Sequence, residues 1–131
     1  MLEVPGLYFD AFGTGINNLN HVVGWTSDGA NTHGSRYSPG AYSQIDFPGA
    51  NMTEAWDIND DGIIVGWYSS SDCICTFALQ NGHFASISYP GARGTAAEAI
   101  NGLRQVVGAY TTDFIVYHGF VTSPIPATVI P

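Results

Sequence analysis

The sequence has no lysine, and its basic side chains other than histidine are three arginines, Arg36, Arg93 and Arg104. Against them stand 11 acidic residues, which give a formal net charge of −8 at pH 7. Nucleic acids and anionic membranes are both bound through basic surfaces. We therefore expect no nucleic acid and no anionic membrane among the partners of this protein.

Long apolar runs are missing as well. No stretch approaches the roughly 20 apolar residues of a membrane-spanning helix, so we expect no membrane span. Residues 1–5 lack the basic and apolar segments of a signal peptide, and the earlier removal of such a peptide is left open. A composition rich in Gly, Ser, Thr, Asn and Tyr favours an extracellular or cell-surface location.

Cysteine is scarce, and catalytic motifs are absent. The two cysteines, Cys73 and Cys75, are so close in sequence that a disulfide between them would be strained, and they do not establish a redox compartment. The chain has no Gly-x-Ser-x-Gly elbow, no phosphate-binding loop and no Cys–His nucleophile pattern. We therefore predict that the protein is not an enzyme and has no cofactor.

A segment that occurs three times organises the chain. Its copies lie at residues 17–25, 59–68 and 101–110, and each runs from an Asn-rich turn into a strand rich in β-branched residues. Gly24 and Gly66 are 42 residues apart, and the same step leads from Gly66 to Gly108. A fixed period of about 40 residues is typical of repeat architectures.

Each repeat is predicted to contain four short strands, as in the blade of a propeller. No segment has a helical period, so the prediction is an all-β fold of three four-stranded, propeller-blade-like repeats of 42 residues. Three blades are fewer than the four to eight that normally close a propeller. A threefold β-trefoil or β-prism, a paired ring and a fibre are therefore alternatives. The predicted boundaries are an N-terminal strand at 1–14, repeats at 15–52, 53–94 and 95–121, and a Pro-rich tail at 122–131.

The third repeat lacks its fourth strand in the sequence. The motif Gly6-Leu7-Tyr8 resembles the fourth-strand motifs of the other repeats, which begin at Gly40 and Gly82. The repeats are therefore predicted to be circularly permuted by one strand, with the N-terminal strand completing a unit of the same molecule or of a neighbour. The residues predicted to form this assembly strand are Pro5, Gly6, Leu7, Tyr8, Phe9 and Phe12.

The repeats resemble the HAF family of extracellular repeats. The matching segments are Gly-Ile-Asn-Asn at 15–18, Ile-Asp-Phe-Pro-Gly-Ala at 45–50, Ile-Asn-Asp-Asp-Gly-Ile-Ile-Val-Gly-Trp-Tyr at 58–68 and the tripeptide His-Gly-Phe at 118–120. The tripeptide is changed to His-Gly-Ser at 33–35 and to Cys-Thr-Phe at 75–77. The resemblance implies a secreted or cell-surface bacterial protein and brings no catalytic residue with it. Longer members of the family look like closed propellers, which supports blades by analogy.

Two groups of residues are candidates for binding metal. Asp57, Asn59 and Asp61 fit the opening of a calcium loop, but an EF-hand would need Glu where this chain has Tyr68. The other two copies of this turn lack carboxylates, which favours a simple hairpin turn over a calcium site. His33, Cys75 and His118 occupy matching places in the repeats and could bind zinc around a threefold centre, although ordinary packing of these side chains is favoured.

Carbohydrate is the candidate ligand for the repeated aromatic residues. Trp25, Trp67 and Tyr110 could stack on sugar rings, although core packing is favoured for them. Asn51 begins an Asn-Met-Thr acceptor sequence for N-glycosylation. The sequence thus favours a non-enzymatic, secreted structural protein that self-assembles through its N-terminal strand into an oligomer or fibre. The alternative is a lectin-like, carbohydrate-binding module of the cell surface.

Overall fold

The computed structural model of the chain describes residues 10–125. These residues form an all-β fold without a helix, in which eleven strands make one curled sheet shaped like half a barrel. None of them forms a helix long and apolar enough to cross a membrane. The strands are β1 (Asp10–Ile16), β2 (Val22–Ser27), β3 (Thr32–Ser38), β4 (Ala41–Ile45), β5 (Met52–Ile58), β6 (Ile64–Ser69), β7 (Ile74–Gln80), β8 (His83–Ile87), β9 (Gly94–Ile100), β10 (Val106–Thr111) and β11 (His118–Val121).

The strands group into three antiparallel blades. Blade 1 consists of β1–β4, blade 2 of β5–β8 and blade 3 of β9–β11. One parallel residue pair joins each blade to the next: Thr32 pairs with Met52 between blades 1 and 2, and Ile74 pairs with Gly94 between blades 2 and 3. The predicted all-β repeat fold is confirmed. The 42-residue step relates the first strands of the three blades, because β1, β5 and β9 begin at residues 10, 52 and 94.

The N-terminal boundary of the repeats differs from the predicted one. The predicted assembly strand includes Phe12, and the predicted first repeat begins at residue 15. In the structure Phe12 lies within β1, where it pairs with Trp25 of β2 in the same chain. The other five residues of the predicted assembly strand, Pro5 to Phe9, lie outside the described residues.

The repeated glycine of each blade permits close contact between its first two strands. A Cβ atom on Gly66 in β6 would overlap the carbonyl oxygen of Glu54 in β5, and Gly24 and Gly108 meet equivalent carbonyl groups. Only glycine fits such an approach of two backbones. The repeated glycine is therefore required by the packing of the inner strands.

The core consists of two apolar layers between successive blades. Side chains of β6 alternate between the layers, with Ile64 in one and Val65 in the other, so blade 2 is apolar on both faces. The layer between blades 1 and 2 contains Val23, Ile45, Ala55, Ile58, Ile64, Tyr68 and Phe77. The layer between blades 2 and 3 contains Ile63, Val65, Ala78, Ala97, Ile100, Val106 and Ile125.

Blade 3 has three strands within the described residues. β4 pairs with β3 and β8 pairs with β7, but no strand between residues 10 and 125 pairs with the outer edge of β11. After β11 the backbone N–H of Ile125 donates to the carbonyl of Arg104, and the Ile125 side chain is buried in the second core layer. A disulfide joins Cys73, just before β7, to Cys75 in β7, so these cysteines are oxidised.

Candidate functional site

Each Asn-rich turn is organised by the first asparagine of its segment. The Oδ1 atom of Asn59 accepts a hydrogen bond from the backbone N–H of Ile63 at 2.9 Å, and it thereby closes the turn before β6. Asn17 accepts in the same way from His21, and Asn101 from Gln105. The oxygen end of each side chain therefore fixes its own hairpin.

The nitrogen end of the same side chain joins one blade to the next. Asn17 Nδ2 donates to the carbonyl oxygen of Asn59 at 3.0 Å, and Asn59 Nδ2 donates to the carbonyl oxygen of Asn101 at 3.1 Å. The bond from Asn17 is buried, and the bond from Asn59 is partly buried. Asn101 is exposed, and its Nδ2 donates to its own neighbour Gln105. The ladder of asparagines thus ends at blade 3.

The residues proposed for calcium have other contacts in this region. Asp57 Oδ2 accepts from the backbone N–H of Ile100 at 2.9 Å, which ties blade 2 to blade 3. Asn59 belongs to the ladder, and Asp61 Oδ2 lies 3.8 Å from Arg104 Nε. Within residues 10–125 no cluster of three or more His, Cys, Asp or Glu side chains is arranged to hold a metal ion. The calcium site stays a prediction: the carboxylates of Asp57 and Asp61 contact blade 3, and the side-chain oxygen of Asn59 closes its own turn.

A carboxylate beside this turn also joins blades 1 and 2. Asp60 accepts from the backbone N–H of Asn18 at 2.8 Å and from its side-chain amide at 2.6 Å. The hydrogen bond from the backbone N–H, and to a smaller extent the one from the side chain, hold the pKa of the Asp60 carboxyl below its usual value. The ionised form of Asp60 is therefore the one that stabilises the contact.

The three residues proposed for sugar binding divide between two positions of the repeat. Trp25 and Trp67 are equivalent, and the third copy of this position is Ala109. Tyr110 follows Ala109 on β10 and so points to the opposite face of the blade. Its true equivalent in blade 2 is Tyr68. The structure therefore does not present the three aromatic side chains as one repeated surface.

The tyrosines of this second position pack in aromatic pairs. Tyr68 stacks on Phe47 with ring centroids 3.7 Å apart and planes 4° apart, and Tyr110 stacks on Tyr89 with the same separation and angle. A hydrogen bond to Tyr89 raises the pKa of Tyr110 above its ordinary value. The same stacked pair thus recurs in two blades, but only Tyr68 is buried in the core, since Tyr110 is half-buried and Tyr89 is 40% exposed.

The two tryptophans are half-buried on the other face. Trp25 stacks on Phe12 with centroids 4.3 Å apart. Trp67 lines a cavity of about 230 Å³ together with Phe114 and Tyr117. The carboxylate of Glu54, opposite Trp67 on β5, accepts a hydrogen bond from Trp56 Nε1 at 3.1 Å, and burial raises the pKa of this carboxyl. The cavity thus combines aromatic side chains with Thr95 and Thr111, and the buried Glu54 is not part of its lining.

The remaining candidates lie apart from this cavity. Asn51 is exposed just before β5, and its backbone N–H donates to Ser69. Among the candidates for zinc, Cys75 is in the disulfide, and His33 Nδ1 lies 2.6 Å from Asp46 Oδ1. His118 lies on β11 against the ring of Tyr110.

The outward surface of blade 3, which we call the back face, exposes side chains that are buried one blade earlier. The pairing of β11 with β10 is shifted by one residue relative to that of β7 with β6, so Val121 pairs with Val107 as Ala78 pairs with Val65. Val65 and Ala78 are both 0% exposed, whereas Val107 is 41% and Val121 64% exposed. The back face consists of Ala99, Asn101, Gln105, Val107 and Val121, and it contains a shallow cavity of about 300 Å³.

The opposite end of the molecule, which we call the front face, is the outward surface of β1 and the start of β2. Ile16 is 64% exposed, and its equivalent Ile58 in blade 2 is 3% exposed. The front face consists of Ala11, Gly13, Ile16 and Val22, whose equivalents Thr53, Ala55, Ile58 and Ile64 are all buried against blade 1. It is limited to this inner part of the blade, because Thr26 and Ser35 are buried.

The sequence does not distinguish the two end faces from the internal faces of the blades. Ile16, Ile58 and Ile100 look alike in the repeat, and so do Val23, Val65 and Val107, although their burial differs with the position of the blade. The sequence feature that points to the end faces is the recurrence of the same apolar positions in three blades, which are fewer than a closed propeller needs.

No family model, no curated protein and no solved structure matches this chain. The resemblance to HAF repeats rests on the sequence motifs quoted above and stays a prediction.

Proposed function

We propose that the protein is a non-enzymatic structural repeat protein, secreted or held at the cell surface, whose copies assemble with one another. The observation that carries this proposal is the outer edge of β11, which no strand within residues 10–125 covers. In the other two blades the corresponding edge is paired over five residues, by β4 and by β8. An uncovered strand edge presents unpaired N–H and C=O groups, which accept a strand from another chain.

Chain order favours the N-terminal segment as the donor of that strand. Residues 41–51 directly precede β5 and include β4, which pairs with the blade before β5. Residues 1–9 directly precede β1 and therefore have the same place relative to blade 1. In an assembly, those of a second copy would approach β11 as β4 approaches β3. By the 42-residue step, residues 1–3 correspond to the end of β4, and the residues of the predicted assembly strand, Pro5, Gly6, Leu7, Tyr8 and Phe9, correspond to residues 47–51, which follow β4.

Deletion of residues 1–9 tests strand donation. The deletion leaves β1 intact, whereas a longer one would remove residues paired with β2. Light scattering of the full chain should give a mass above that of one chain, and the deletion variant should have a smaller mass at the same concentration. Deletion of residues 126–131 is the matched control and should keep the assembly. If removing residues 1–9 leaves the mass unchanged, strand donation is wrong.

An extracellular location is proposed from the disulfide between Cys73 and Cys75 and from the resemblance to HAF repeats. Disulfides persist in secreted and surface proteins and are rare in reducing compartments. Mass spectrometry after alkylation, on protein taken from its source without a reductant, should find both cysteines blocked as a disulfide. Two alkylated thiols would contradict the proposed location.

Carbohydrate binding is the second candidate, and the cavity beside Trp67 favours it. An aromatic face next to polar groups is suited to a sugar, which has apolar ring faces and hydroxyl edges. A glycan array should detect binding by the wild-type protein and lose it with Trp67→Ala, while Trp25→Ala is the control outside this cavity. An array without any binding counts against this function, and it leaves the assembly proposal to stand or fall on the deletion.

A further inference from the structure

We propose that the back face of one copy binds the front face of a second copy, and that two such junctions close two copies into a ring of six blades. The inference rests on the proposed self-assembly and goes beyond it, because it identifies the contact surfaces and the number of copies. It concerns packing of blade against blade, which is separate from the addition of a strand to β11.

The internal junctions of the chain show that the two faces are complementary. At the junction between blades 2 and 3, Val65 and Ala78 pack in one apolar layer with Ile100 and Val106. The equivalents of Val65 and Ala78 on the back face are Val107 and Val121. The equivalents of Ile100 and Val106 on the front face are Ile16 and Val22. Each end of the molecule therefore carries one half of a junction that the chain makes internally.

The ladder of asparagines points to the same arrangement. Asn17 Nδ2 donates to the carbonyl of Asn59, and Asn59 Nδ2 donates to the carbonyl of Asn101. The next step along this series is donation from Asn101 Nδ2 to the carbonyl of Asn17 in a second copy. Asn101 is exposed, and its Nδ2 donates to the side-chain oxygen of Gln105. Asn101 Nδ2 can therefore donate to another acceptor while Asn101 Oδ1 keeps its hydrogen bond from the backbone N–H of Gln105.

The number of copies follows from the shape of the sheet. The curled sheet forms half a barrel, so three blades cover about half a turn. Three blades are too few for a closed propeller, while six lie within the usual range of four to eight. Because each junction joins unlike faces, the contact is heterologous and closes when the rotation completes a turn.

The proposed junction is weaker than the internal ones. Ala99 stands where blade 2 has Asp57, so the new junction lacks the hydrogen bond that Asp57 makes to Ile100. The two faces contain no charged side chain, but each chain has a net charge of −8, so two copies repel one another over a distance. Added salt screens this repulsion and should favour the ring.

Two substitutions, one on each end face, test the proposal. Ile16→Asp places a charge on the front face, and Val107→Asp places one on the back face. Each variant alone has one damaged face in every copy, so it can form no intact junction, and its mass should fall to that of one chain, 13.9 kDa. The wild-type protein should have twice this mass.

Mixing the two variants gives the decisive result. The back face of the Ile16→Asp variant and the front face of the Val107→Asp variant are both intact, so the mixture should form a complex of two chains through a single junction. A contact between like faces would not be restored by mixing. Recovery on mixing also shows that both variants are folded, and circular dichroism of each variant checks this independently.

The control is Ile115→Asp, which introduces a charge at an exposed apolar residue outside both faces. It should keep the mass of two chains. The proposal is overturned if Ile16→Asp and Val107→Asp, both folded, keep the wild-type mass, or if mixing them restores nothing. Deletion of residues 1–9 separates the two ideas. A ring that survives the deletion but not Val107→Asp supports blade packing and excludes strand donation, and the reverse outcome excludes blade packing.

Discussion

Val65 and Val107 occupy the same position in successive blades, but Val65 is fully buried and Val107 is 41% exposed. The residues are identical and 42 positions apart, so their own chemistry does not cause the difference. Val65 is covered because blade 3 packs on it, whereas no described residue does the same for Val107. The pair shows that the same apolar face is covered in blade 2 and is not covered by any residue between 10 and 125 in blade 3.

The first prediction follows from this pair. Val65→Ala removes two buried carbon atoms from the layer between blades 2 and 3, and it should lower the free energy of unfolding by roughly 1.5–3 kcal/mol. Val107→Ala should change it by less than about 0.5 kcal/mol at protein concentrations low enough to keep single chains. Urea denaturation at low protein concentration measures both. Equal losses for the two variants would contradict the assigned burial.

The second prediction concerns the ladder of asparagines. Asn59→Asp keeps the oxygen that closes the turn but removes the amide that donates to Asn101, and it places a charge in a buried position. We expect it to destabilise the fold by about 1–3 kcal/mol. Asn101→Asp, at the exposed end of the ladder, should have little effect on a single chain. Urea denaturation curves give the stability of both variants. Similar losses of stability would show that the side-chain nitrogen of Asn59 does not join the blades.

The third prediction concerns the repeated glycine. Gly66→Ala forces a methyl group against the carbonyl oxygen of Glu54, and the backbone of β5 has to move. The variant should lose at least about 2 kcal/mol of stability, measured as a lower melting temperature. Gly102→Ala is the control, since a Cβ atom there meets no atom within 4 Å. A Gly66→Ala variant as stable as the control would rule out the close approach of the two strands.

The fourth prediction is a dependence on pH. The pKa of Asp60 is lower in the folded state because of its hydrogen bonds to Asn18. The unfolded state therefore binds the proton more tightly, so the stabilisation is present above the unfolded-state pKa and is lost as the pH falls through the folded-state pKa. A double-mutant cycle of Asn18→Ala and Asp60→Asn removes the side-chain amide of Asn18 but keeps its backbone N–H, so it reports the side-chain hydrogen bond and should show favourable coupling at pH 7. The coupling should decline when the cycle is repeated at about pH 2, and coupling that is constant with pH would contradict the assignment.

The sequence alone determined the period, the strands and the all-β class. The 42-residue step located Gly24, Gly66 and Gly108, and turn residues between short β-branched runs marked most strand ends. These features are local, because strand alternation and turn chemistry depend on neighbouring residues. The first strand was misplaced, since nothing in the residues around Phe12 says which strand it pairs with.

The tertiary structure decided which of the repeated residues have the same contacts and the same burial. Asn17, Asn59 and Asn101 begin three similar turns. Only the stacking of blades makes the first two into links between blades, and among the described residues Asn101 donates within its own turn. The same stacking buries Ile58 and Val65 and exposes Ile16 and Val107. Contacts between residues 42 apart depend on how whole blades pack, which no local pattern encodes, and so the end faces became visible only in the folded chain.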